Sequence, residues 1–128
     1  MKEVKSIRTN ILGENYTINL NTPREVLTDC DGECSRYDKT ISIVDIEEIF
    51  DGNGTEEGRQ KRYAEGVRHE VIHAFFEESG LDNYSENEEL VQWLAIQFPK
   101  LVQVFNAISS SDKFYADEKL KNIDIIFD

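Results

Sequence analysis

The stretch from Arg59 to Glu78, RQKRYAEGVRHEVIHAFFEE, constrains the fold more than any other part of the chain. Its apolar residues Ala64, Val67, Val71, Ala74 and Phe75 recur at the period of an α-helix, and Gly80 follows where a helix end favours glycine. A helix over 59–78 is therefore expected, with one stripe for the core and another face for something else.

That other face carries both histidines of the 128-residue chain. At about 100° per residue, His69 and His73 project within roughly 40° of each other, while Val71 points nearly the opposite way. Two imidazoles one turn apart can grip a single zinc ion, and Glu70 on the adjoining edge can reach a water beside it. Gly66 lies one turn before His69, where a missing side chain leaves room for a substrate or a close neighbour at a helix cost of about 1 kcal/mol relative to Ala.

A catalytic zinc needs a third protein ligand and one open position, and with no histidine left the ligand has to be a carboxylate or a cysteine. The segment SENEELVQWLAIQFPKLVQVF reads as a second helix, with Ser85 as N-cap and Glu88 at the third helical position in a capping-box pattern. Its stripe is Leu90, Val91, Leu94, Phe98, Leu101, Val102 and Phe105, and Pro99 inside it should bend the helix near 97–100. Glu88 falls at the edge of that stripe, in line with Val91 and Ala95, whereas Glu89 points about 155° from its centre into solvent. Glu88 is the expected third ligand, and Gln92 one turn later can hydrogen-bond a ligand from behind.

The first third of the chain is patterned differently. Residues 4–20 alternate apolar and polar positions around LGEN and read as a hairpin, and NTPREVL reads as a short helix or turn with Asn21 or Thr22 capping and Pro23 first. In CSRYDKTISIVD, Tyr37, Ile41 and Ile43 share one face of an extended strand, with a turn or bulge at YDKT. DGNGTEEG, residues 51–58, is the clearest loop, and the tail FYADEKLKNIDIIFD reads as a short helix plus a strand. Extended patterns first and helices afterwards give an α+β domain spanning 1–128, since a chain of this length holds one core.

Composition narrows the partners. Twenty-six acidic against 14 basic residues leave a net charge of −12, which argues against nucleic acid or an anionic membrane and permits a basic protein partner. No segment approaches the roughly 20 apolar residues of a membrane span and the N-terminus has no signal-peptide core, so a cytoplasmic location is the expectation. Cys30 and Cys34, in CDGEC, then read as free thiols in a turn.

HEVIHAFFEESGL followed by NEELVQWLAIQFPKL resembles short phage and prophage proteins of the gluzincin type, small relatives of the ImmA/IrrE and SprT-like metallopeptidases. The resemblance covers residues 59–105, and less closely 34–45. It implies a minimal zincin fold, a small sheet packed on two active-site helices, with HExxH at His69, Glu70 and His73 and the downstream glutamate at Glu88. It also implies that Thr40–Val44 is an edge strand holding an extended peptide by β-addition, and, for a phage-encoded chain, a host-cell cytoplasmic setting.

The expected reaction is hydrolysis of a peptide bond, with Zn2+ as cofactor and Glu70 as general base. An oxyanion donor besides the metal is expected from Tyr84, in the loop between the two helices, ahead of Tyr63 and Arg68. Two rival readings stand beside it. One is a closed structural zinc held by Cys30, Cys34, His69 and His73; the other is an acidic binding or inhibitor protein on the same scaffold, without proteolysis.

Overall fold

The computed structural model describes residues 3–49 and 54–110. The chain is α+β. Strands β1 (Lys5–Ile11), β2 (Glu14–Thr22), β3 (Gly32–Ser35) and β4 (Thr40–Val44) form one mixed sheet in the order β1-β2-β4-β3, and helices α1 (Glu56–Glu78), α2 (Asp82–Ser85) and α3 (Glu88–Ser109) follow.

The expected hairpin is β1 and β2, paired antiparallel from Lys5 opposite Leu20 to Ile11 opposite Glu14. Its turn is Leu12-Gly13, both at positive φ (50° and 93°), the backbone handedness that matches the twist of a two-residue hairpin. β3 and β4 make a second antiparallel hairpin, and β4 joins the first through a parallel pairing with β2. Alternation then puts Tyr16, Ile18, Ile41 and Ile43 on one face of the sheet, buried together against Ala74, Val67 and Val71 of α1.

Two expectations need correcting here. Tyr37 does not share the face of Ile41 and Ile43: it lies in the turn between β3 and β4 and is 86% exposed. Thr40–Val44 is no edge strand, because β2 and β3 pair with it on either side and occupy the backbone groups an added strand needs. NTPREVL takes the second of its two expected forms, a turn, with the Val26 and Leu27 N–H groups donating to the Pro23 carbonyl. Residues 51–53 of the expected loop and the tail FYADEKLKNIDIIFD lie outside the described residues.

α1 starts three residues before the expected Arg59, capped by Thr55 Oγ1 accepting from the Gly58 N–H at 3.0 Å. Its other end is closed by Gly80 at φ 75°, the left-handed position that favours glycine. α3 is capped by Asn87, whose side chain accepts from the Leu90 N–H at 3.1 Å. Ser85 is therefore not the N-cap of the second long helix; it ends the separate one-turn helix α2 and is buried.

Pro99 does not break α3. A proline lacks the N–H that would bond the carbonyl four residues earlier, here that of Ala95. Arg68 Nε on α1 donates to that same Ala95 carbonyl at 2.7 Å, so the acceptor freed by the proline ties the two long helices together.

Candidate metal and hydrolytic site

α1 and α3 bring His69, His73 and Glu88 to one point. His69 Nε2 lies 3.2 Å from His73 Nε2, and the Glu88 carboxylate is 2.9 Å from the first and 3.0 Å from the second. Ligands about 2.0–2.1 Å from a tetrahedral zinc stand roughly 3.3 Å from one another; the 3.2 Å between the two Nε2 atoms fits such an edge, and Glu88 faces His69 with Oε2 and His73 with Oε1. Among the described residues these three side chains form the group able to hold a metal ion.

The hydrogen-bond network assigns the tautomers. Ser85 Oγ donates its proton to Glu77 Oε2 at 2.9 Å and so accepts from His73 Nδ1–H, also at 2.9 Å. On the other side, Gln92 donates its amide to Glu65 Oε1 and turns its carbonyl Oε1 to His69 Nδ1–H at 2.8 Å. With both protons held on Nδ1, the two Nε2 lone pairs and a carboxylate converge with no hydrogen between them. Three acceptors in contact repel unless a cation lies among them, and the two outer chains fix the rings in the orientation metal ligands need.

Burial holds the His73 imidazole below the usual histidine range, against the pull of Glu88. An imidazole that resists protonation keeps its lone pair for a metal at mildly acid pH. Glu88 is the first residue of α3, where a carboxylate also meets the positive end of the helix dipole.

Glu70 is buried beside this triangle, and burial pushes its carboxyl up to about 7, with His69 opposing and Glu88 adding to the rise. Such a group exchanges a proton near neutrality, as a general base must. Gly32 of β3 comes so close that a Cβ there would stand 3.0 Å from Glu70 Cγ and 3.1 Å from its Oε2. A side chain at this position would press on Glu70 unless Glu70 shifted by a few tenths of an ångström, which gives the glycine of CDGEC a role in the site.

These groups line an open cleft of about 430 Å³, together with Cys30, Asp31, Gly32, Arg62, Glu65 and Gln92. Gly66 forms part of its floor, and a Cβ there would meet nothing within 4 Å.

Glu88, rather than Glu89, reaches the histidines, and Gln92 stands behind His69 as expected. Tyr84 is not brought to the site: it is outside the cleft lining, half exposed, and its ring stacks on Phe76 at a centroid distance of 6.2 Å. Tyr63 packs into the core and Arg68 is engaged by Ala95. Cys30 and Cys34 do not complete a four-ligand group with the histidines; Cys34 packs against the core, and burial pushes its thiol up to about 12.

Sequence reasoning missed Glu65, Glu77 and Ser85. Glu65 lies one turn before His69 and Glu77 one turn after His73, so helical spacing alone could have pointed to both. It also missed Arg24, which donates to the carbonyls of Leu27, Cys30 and Glu48 and pairs with Asp31 at 2.6 Å, fixing the loop that leads into the cleft wall.

In comparisons with known proteins, the chain matches no family model, no curated protein and no solved structure.

Proposed function

We propose that the chain is a zinc-dependent peptidase of the minimal gluzincin type, with His69, His73 and Glu88 as ligands and Glu70 as general base. The observation that carries this reading is the convergence of two Nε2 lone pairs and the Glu88 carboxylate, each imidazole held in the ligand tautomer from behind. Two imidazoles and a carboxylate suit zinc among the common divalent ions.

A zinc ion held there supplies a Lewis acid that lowers the pKa of a water and polarises a carbonyl. The protein's own part is acid–base work and positioning. Glu70 takes a proton from the attacking water and passes it to the leaving amine. Its raised affinity for a proton makes both transfers accessible near neutral pH.

Substrate binding falls to β3 in place of Thr40–Val44. The Val44 N–H donates to the Asp31 carbonyl at 2.9 Å, and the register continues with Gly32 opposite Ile43 and Glu33 opposite Ser42. Alternation in an antiparallel pair then turns the backbone groups of Gly32 and Cys34 away from β4, toward the edge of the sheet among the described residues. An extended peptide added there runs past Glu70 and the metal ligands. Arg62, which lines the cleft and pairs with Asp31 at 3.7 Å, takes the place of Tyr84 as the candidate donor to the developing oxyanion.

The test is metal content and peptide hydrolysis measured together. Wild-type protein is expected to hold about one zinc per chain, and Glu70→Gln to retain it while losing hydrolysis. Retained hydrolysis in Glu70→Gln, or zinc lost only on Cys30→Ala and Cys34→Ala, contradicts the proposal.

A further inference from the structure

We propose that α3 is a self-association surface, on which a second copy of this chain packs its own α3 in antiparallel orientation. The helix turns its small side to the protein. Val91, Ala95 and Val102 are buried in the fold, whereas Phe98, Leu101, Phe105 and Ile108 are 49%, 43%, 45% and 43% exposed. Trp93 and Val104 flank them at 54% and 57%. A run of large apolar side chains left outside while smaller ones go inside marks an interaction site.

The spacing says what kind of partner fits. Leu94, Phe98, Leu101, Phe105 and Ile108 follow one another at intervals of four, three, four and three residues, the a/d pattern of a helix that packs along another helix. Between Leu90 and Ser109 the one charged residue is Lys100. On a chain of net charge −12, this is a face by which two copies approach without setting acid against acid.

The residue types select a second copy and its direction. Both a positions of the seam are phenylalanine and the d positions are leucine or isoleucine. A parallel pair would stack Phe on Phe and Leu on Leu. An antiparallel pair about a twofold axis between Phe98 and Leu101 sets Leu94 against the partner's Phe105 and Phe98 against the partner's Leu101. The four central layers then each hold one ring and one aliphatic chain, the constant volume that close packing favours, and Ile108 lies beyond them at the end of the seam. Six half-exposed side chains of this size contribute roughly 100 Å² each, about 1,200 Å² over both copies, at the lower edge of specific interfaces.

Sedimentation of the full chain across a concentration series tests this. The expected result is a reversible dimer of twice 14.8 kDa that tightens as salt screens the net charge. Phe98→Glu and Leu101→Glu, each at an exposed position, are expected to give monomers with unchanged circular dichroism. A wild-type chain that stays monomeric throughout overturns the proposal, as it would if residues 111–128 or another protein covered the face. A dimer that survives both substitutions overturns it as well.

Discussion

At the scale of single residues, the candidate site rests on groups that stand behind the proposed ligands. Ser85 holds the Nδ1 proton of His73 and Glu77 holds Ser85. Ser85→Ala removes that link, and zinc affinity measured against a competing chelator is expected to fall about 10–100-fold with the fold intact. Gly32→Ala is expected to displace Glu70, because the new Cβ meets its side chain at 3.0–3.1 Å. Hydrolysis then drops while bound zinc stays near one per chain; unchanged turnover would contradict the role given to the strand edge. His69, Glu70, His73 and Glu88 were legible because helical spacing alone sets which of them share a face. Ser85 was misread because Ser85 and Asn87 are both capping residues within three positions. A one-turn helix intervenes, and the Ser85 hydroxyl is committed to Glu77 and His73.

At the scale of elements, α1 and α3 are joined at the His69, His73 and Glu88 group and again at the Ala95 carbonyl. Arg68→Ala leaves that carbonyl without its donor and is expected to cost about 1–3 kcal/mol in denaturant unfolding. With Pro99→Ala as background, residue 99 regains an N–H that can take the same carbonyl, so the cost of losing Arg68 is expected to shrink. Additive costs would show that the bond does not depend on the proline. The helices themselves were readable from periodicity and from Gly80. The uninterrupted passage through Pro99 was not, because what replaces the missing bond comes from another helix. The apolar stripe of α3 was recognised as apolar but assigned wholly to the core; sequence periodicity marks an apolar face without saying what covers it.

At the scale of the molecule, the sheet meets the end of α1 through Tyr16, Lys39 and Glu78. Tyr16 Oη donates to Glu78 Oε2 at 2.5 Å, and Lys39 pairs with the same oxygen at 2.5 Å. Lys39, then Tyr16, hold the Glu78 carboxyl below the usual carboxylate range. The folded state thus binds this proton less readily than the unfolded chain, so its contribution is complete above the ordinary carboxylate pKa and is lost as pH falls through the depressed one. Glu78→Gln is expected to flatten the acid limb of the stability–pH curve measured by denaturant unfolding; an unaltered limb would show that the cluster carries no such linkage. The α+β order was plain from strand-like alternation giving way to helical stripes. The parallel pairing of β2 with β4 was not, since pairings between distant segments leave no local pattern, and it is what makes β3 the edge strand beside the site among the described residues.

The most direct measurement of the central claim is anomalous scattering at the zinc edge from crystals of the full chain grown with equimolar zinc. One peak about 2 Å from His69 Nε2, His73 Nε2 and the Glu88 carboxylate is the predicted result. No peak at that point, or a peak bonded to Cys30 and Cys34, would contradict it.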